Sequence, residues 1–534
     1  MPTELASQPE WVQRNHVASA IIVLVIAMVV GGALVLAADS RFNLGLLIFG
    51  MVLLLAGAVL LTLAAPRALE ELSFLRRNFR WWHGIWLLLI FSSFTWRIID
   101  VGTAASGGGL DAASLVRVVC VGFAASCLLV VLALRRARWL RMCFSGSQKY
   151  LTIFGLICLV STAWSVNAPW TAYKSFEYLT DMAVVALLRV SLRKTGDYKF
   201  LLDFTLFLFG LLLLSAWIGA FINPSQGFFS LGGTGSRDLV LPIRLEGQYP
   251  GLDADGMGEM CAIILLISAY RFSRASAGLE RNKLWYGAII ILSFGTFVIC
   301  QARTALVGFI FGCLILFTFA KDKRRLLGWF LVGVILLAIP LVAFASGPIV
   351  RYFLRGEHVE SLQHLTGRTE MWKVAWAESL QRPFTGYGGF AGRRFVVQAQ
   401  VVYFATASSL LSAWVDALID IGFIGPILLL LLFVGIARSL IVSLRKRGQR
   451  IQDRNLAIEL TLAMAVIFVR SFVTGSMVGH FYFWLFTCLA GAEFLRSQPS
   501  EFSPRFYPDR FANGTAGERD SAPERTQFPG DAPA

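Results

Sequence analysis

Charge is scarce in this chain. Asp, Glu, Lys and Arg make up only 15% of its 534 residues, against 56% hydrophobic. Soluble domains carry about 25% charged and about 45–50% apolar residues, so the soluble globular class is set aside first. Histidine is scarcer still, with five in the whole sequence. No Cys-x-x-Cys, no His-Glu-x-x-His and no Gly-x-x-x-x-Gly-Lys-Ser/Thr occurs, and no carboxylate cluster has metal-ligand spacing. This argues against a zinc enzyme or a nucleotide hydrolase. The eight cysteines (Cys120, Cys127, Cys143, Cys158, Cys261, Cys300, Cys313 and Cys488) lie almost entirely in apolar runs. A disulfide framework is not expected. Cys120 and Cys127 share a helix face by spacing, as small buried thiols do. No internal repeat is visible. The net charge of +15 invites a nucleic-acid partner. Its basic residues, however, fall in short clusters between apolar runs, the pattern of cytoplasmic loops in a polytopic protein.

What the sequence has is long apolar runs. A helical span needs about 20 apolar residues. Spans are expected near 17–38, 42–64, 82–99, 113–134, 150–164, 173–190, 200–222, 256–272, 284–300, 304–320, 326–346, 409–437, 456–473 and 480–495. The expected fold is an all-α polytopic membrane protein of about 12–14 transmembrane helices. Every second loop is basic. Examples are Arg76, Arg77 and Arg80, then Arg135 to Arg141, then Arg193, Lys194 and Lys199, then Lys321 to Arg325, then Arg445 to Arg454. The intervening loops carry almost no Lys or Arg, so both termini are expected in the cytoplasm, with the 223–255 and 347–408 loops external. The first apolar run is too long for a signal-peptide core and a second span follows at once, so an anchor is expected. Residues 497–534 are rich in Pro, Gly, Ser and charge and read as a disordered cytoplasmic tail. The expected division is 1–148 as N-terminal helices, 149–496 as the main membrane domain and 497–534 as the tail.

Ionisable residues at membrane depth usually face a cavity or a partner. Arg303 and Arg470 sit at the external edges of spans, and Lys174, Glu177 and Asp181 occupy the first turns of another. Snorkelling or structural pairing is the plain explanation for the latter three. Arg303, Arg470 and Arg368 of the long loop would face one external site. Guanidinium forks suit phosphate oxygens, and a pyrophosphate ester at the outer leaflet is the natural ligand.

Within the long loop, residues 367–381 read as an amphipathic helix whose stripe is Trp372, Ala375, Trp376, Ser379 and Leu380. Its tryptophans would lie at the headgroups or stack on sugar. Thr385-Gly-Tyr-Gly-Gly389 reads as a tight turn whose backbone approaches a ligand. His358, Glu360, His364 and Glu370 are candidate general bases, as is His480 at the start of the last span, each with a solvated-residue alternative.

These stretches resemble the O-antigen ligase and polymerase superfamily of bacterial membrane glycan enzymes, which includes lipopolysaccharide ligases, Wzy-type polymerases and exopolysaccharide polymerisation proteins. Trp164-Ser-Val-Asn-Ala-Pro-Trp170 is similar to the family's turn before a span, and Gln301-Ala-Arg-Thr-Ala-Leu306 resembles its SRT-x-x-L. The most specific match is Thr366-Gly-Arg-Thr-Glu-Met-Trp372 followed by Arg382-Pro-Phe-Thr-Gly-Tyr-Gly388. Asp420-Ile-Gly-Phe-Ile-Gly425 and Arg470-Ser471 complete it. The resemblance implies a glycan on undecaprenyl pyrophosphate as substrate at the periplasmic face of the inner membrane, with no cofactor or metal. It implies transfer to a sugar hydroxyl, as a polymerase first and a ligase to lipid A-core second. Arg303, Arg368 and Arg470 would hold the pyrophosphate. Trp372, Trp376, Tyr387 and Asp420 would contact glycan or order the loop. The sequence departs from the family at Leu411-Ser412, where His-Asn is usual, and at Asp255-Gly-Met-Gly258, where Asn-x-x-Gly is expected. The base then falls to His358, His364, Glu370 or His480. A transporter or a non-catalytic scaffold of the assembly complex remains the alternative of another class.

Overall fold

The structure is a computed structural model that describes residues 79–93, 112–135, 137–223, 227–230, 243–248, 251–274, 280–319, 368–401, 410–446, 449–475 and 482–498. The spans expected at 17–38, 42–64 and 326–346, and the tail, lie outside the described residues.

Lipid offers no hydrogen bonds, so the backbone must satisfy itself, and helices dominate. In chain order they are α1 (Trp81–Ser93), α2 (Ala112–Arg135), α3 (Gln148–Val160), α4 (Ala168–Ser191), α5 (Thr195–Ile222), α6 (Ala254–Arg274), α7 (Glu280–Cys300), α8 (Arg303–Phe319), α9 (Arg368–Gln381), α10 (Ala413–Ile421), α11 (Ile424–Arg445), α12 (Ile451–Ser471) and α13 (Phe483–Ser497). Of these, α2, α5, α6 and α11 are long and apolar enough to cross a membrane, and α3, α7 and α8 are shorter apolar helices. The chain is an all-α multi-pass membrane protein. Helix α6 is the hub. It is buried along most of its length and packs against α7, α8 and α12.

Local sequence explains the starts. Asn167 caps α4 by accepting from the Trp170 amide at 3.2 Å, with Pro169 in the first turn, the usual pairing of a side-chain acceptor with a residue that needs no amide partner. Ser412 caps α10 in the same way, accepting from Val415. Between α5 and α6 the chain forms two small antiparallel pairs. Strand β1 (Phe228–Ser230) pairs with β2 (Ile243–Leu245), placing Phe229 opposite Arg244, and β3 (Gly247–Gln248) pairs with β4 (Gly251–Leu252).

Two expectations are corrected. The run 409–437 is two helices, α10 and α11, broken at Gly422. Gly422 has φ 72° and ψ −164°, backbone that only glycine enters readily, and a Cβ there would lie 2.3 Å from the Pro383 carbonyl oxygen. The stripe of α9 is also displaced. Met371, Ala375 and Ser379 form its buried side, whereas Trp376 and Leu380 are exposed. The small residues let α9 sit close to α10, and Trp372 is half-buried with its indole donating to the Leu410 carbonyl at 2.9 Å.

Candidate functional site

The turn after α9 is anchored by main-chain bonds. Tyr387 and Gly388 amides donate to the Ile419 and Asp420 carbonyls, both at 3.0 Å, and the Phe423 amide donates to Pro383 at 2.8 Å. On its other side the Val166 amide donates to Tyr387 at 3.0 Å. The indoles of Trp164 and Trp170 donate to Thr385 and Phe390 carbonyls at 3.1 and 3.0 Å. A Cβ on Gly386 would meet the Asp420 carbonyl oxygen at 2.4 Å, and φ there is +60°. Gly386 therefore admits the chain's own backbone, and Gly388 and Gly389 admit Ser165 and Cys158. That corrects the expectation of a ligand approach at Thr385–Gly389.

Below the turn, Arg393 is buried between two carboxylates. It donates to Asp416 at 3.2 Å and lies 3.6 Å from Asp420. Asp420 is fully buried and serves the loop's anchorage. Tyr387 is likewise buried, its hydroxyl donating to Glu378 at 2.6 Å. Burial and the Glu378 carboxylate push that phenol up to about 12.

On the same face, several element ends converge. Helix α6 begins at Asp253 and Asp255, α8 begins at Arg303, α9 begins at Arg368, and α12 ends at Arg470. Strand β2 presents Arg244, whose guanidinium donates to Asp255 at 2.8 Å and to the Cys300 carbonyl at 3.0 Å. Arg368 donates to the Val473 carbonyl at 3.2 Å and lies 3.8 Å from the second Asp255 oxygen. Burial lowers the Arg368 pKa; Asp255 opposes this, and the nearby Arg470 and Arg303 reinforce it. Arg303 is placed by the sharp reversal at Gln301, whose φ is 49°. Arg470 is buried, donates to Glu259 at 3.1 Å and bonds Thr304, while Tyr482 bonds the other Glu259 oxygen.

Asp253 is exposed on one side and crowded on the other by protein, within electrostatic reach of Asp255, Arg244 and Arg470. Burial, then the neighbouring Asp255, push its pKa up against the pull of Arg244 and Arg470. Burial raises Glu246 too, and Arg244 opposes it. Guanidinium groups beside the starts of α6, α8 and α9 make a setting suited to oxyanions, because exposed helix amides add positive potential there. A carboxylate held among them can accept a proton.

The structure thus brings Arg303, Arg368 and Arg470 together. Glu370 stays apart, with its side chain exposed and paired with Lys373 at 3.1 Å. Trp376 is exposed and meets Phe423 edge-on. His358, His364 and His480 lie outside the described residues. Lys174 and Glu177 form a structural triad with Arg117 on α2. Lys174 donates to Glu177 at 2.8 Å and the Arg117 Nη2 at 3.0 Å.

Sequence reasoning missed Arg244, Asp253, Glu259, Thr304 and Tyr482. The usable signal was two aspartates bracketing a helix start beneath an otherwise unassigned arginine.

Apolar helices around a charged cluster at one end of the bundle define a multi-pass membrane protein with a polar site at the membrane edge. Residues 288–431, from α7 into α11, match the O-antigen ligase family model, and this match supports a likeness to the O-antigen ligase and Wzy superfamily over that stretch. No curated protein matches it.

Proposed function

We propose that the protein extends a polysaccharide by transferring a glycan from undecaprenyl pyrophosphate to an acceptor sugar hydroxyl at the periplasmic face of the inner membrane. The convergence of Arg303, Arg368 and Arg470 at the ends of α8, α9 and α12 carries this reading. The hydroxyl oxygen bonds to the anomeric carbon as its bond to phosphate breaks, with inversion. Negative charge grows on the departing pyrophosphate, and the guanidinium groups held at these helix ends stabilise it. Arg244 joins them from β2. Asp253 takes the hydroxyl proton. Its position among the arginines favours it over Glu370, which is paired with Lys373 on α9.

The family's own description favours a second reading, in which lipid A-core is the acceptor and the protein is a ligase. One experiment separates the two. Purified protein is offered undecaprenyl-pyrophosphate-linked oligosaccharide, with and without lipid A-core, beside Arg303→Ala and Arg368→Ala. Longer glycans from the wild type only indicate a polymerase. Product only with lipid A-core indicates a ligase. No product from folded protein in either arm would leave transport or scaffolding.

A further inference from the structure

The opposite end of the bundle holds a second charged recess that glycan transfer does not use. Helix α4 starts against the loop turn, where Trp170 bonds Phe390. Its 24 residues span about 36 Å. Helix α5, which is long and apolar enough to cross a membrane, starts at Thr195 just after α4 and runs to Ile222, shortly before the strands that carry Arg244, so the end of α4 and the start of α5 lie at the other end of the bundle. There a cavity of about 390 Å³ lies between α1, the end of α4 and the start of α5. Arg80, Trp81, Trp82, Arg193, Lys194 and Asp197 line it.

The charge is unbalanced. Among the described residues, Asp197 is the one carboxylate in the lining, and it is engaged by the Arg193 and Lys194 backbone amides, both at 3.1 Å. Among the described residues, the side chains of Arg80, Arg193 and Lys194 have no ion-pair partner, and all three are exposed. Two tryptophans belong to the same lining, Trp81 exposed and Trp82 buried. Basic side chains gathered by an amphipathic ring at one membrane face are a setting for a lipid headgroup. A solvated basic loop, the plain alternative, needs neither a cavity nor tryptophans in its lining.

We propose that this cavity binds the phosphodiester headgroup of an anionic membrane lipid. Arg80, Arg193 and Lys194 take the phosphate oxygens. Trp81 lies along the acyl-chain side of the headgroup.

The test is lipid retention by the full chain in neutral detergent, read by native mass spectrometry. Phosphatidylglycerol and phosphatidylcholine are titrated in parallel, with inorganic phosphate as a soluble competitor. Wild type is expected to retain phosphatidylglycerol selectively, and millimolar phosphate is expected not to displace it. Each neutralised cation should weaken retention about fivefold, so Arg193→Gln with Lys194→Gln should weaken it roughly twentyfold or more. Equal retention of the two lipids would overturn the proposal. So would unchanged phosphatidylglycerol binding in a double variant whose unfolding midpoint matches wild type. Displacement by phosphate would make it a soluble-anion site instead. If the double variant does not fold, wild type decides: retention must fall as salt rises, and salt-independent binding would overturn the proposal.

Discussion

Arg244 and Asp255 are eleven residues apart in sequence, and their side chains meet at 2.8 Å across the start of α6. The second oxygen of Asp255 faces Arg368. A carboxylate thus occupies ground that an anionic substrate would otherwise hold. Asp255→Asn removes that competing charge. A soluble isoprenoid pyrophosphate should then bind about fivefold more tightly at low salt, as measured by calorimetry. Weaker binding would show instead that Asp255 is needed to orient the arginines.

Asp253 should govern the pH dependence. Burial disfavours its ionised form, so its titration lies above the usual aspartate value of about 3.9. The base must be ionised to accept a proton. Transfer should therefore fall on acidification through that raised midpoint and hold steady above it. Asp253→Asn should lower turnover roughly 100-fold to 10,000-fold and abolish the inflection. An unchanged profile in the variant would assign the base elsewhere.

Gly386→Ala forces a side chain onto the Asp420 backbone at a left-handed position. Backbone strain alone costs roughly 1–3 kcal/mol, and the neighbouring carbonyl cannot rotate away without breaking the Gly388 bond. The thermal midpoint in detergent should drop clearly. Gly210→Ala in α5, where a Cβ meets nothing within 4 Å, should leave it unchanged or slightly raised. Equal midpoints for the two variants would contradict the close approach.

Removing one member of the buried pair between α6 and α12 should be severe. Glu259→Gln leaves Arg470 without its carboxylate, a loss of about 3–5 kcal/mol. Replacing both by methionine should restore much of the stability without restoring transfer. A double variant as unstable as the single one would mean that the pair's wider hydrogen-bond network, and not the stranded charge, sets the cost.

Much of the membrane architecture was legible because lipid imposes a simple requirement: uninterrupted apolar length. The described starts and stops of α2, α5 and α6 fall within a few residues of their apolar runs. The start of α9 at Arg368 was equally visible from its flanking glycine and proline. Hydropathy failed at Gly422, because an apolar run conceals a reversal that depends on one residue's backbone. Periodicity marked the apolar stripe of α9 but left out Met371, which with Ala375 and Ser379 forms the side packed on protein, because a close helix crossing prefers small residues. Arg303 and Arg470 stood out by the cost of placing charge at membrane depth, and Arg368 by its place in the long loop. The partners of that charge could not, because Arg244 arrives through a small hairpin and Glu259 through a helix far away in sequence.

That separation bears on how the protein is made. Glu259 and Arg470 stand 211 residues apart, so at translation rates of about 5–20 residues per second α6 reaches the bilayer roughly 10 to 40 seconds before its partner exists. During that interval the growing chain carries an unmatched acidic side chain in a helix destined for the bundle's centre. A premature stop between positions 259 and 470 would make that interval permanent, leaving Glu259 without the guanidinium that α12 brings.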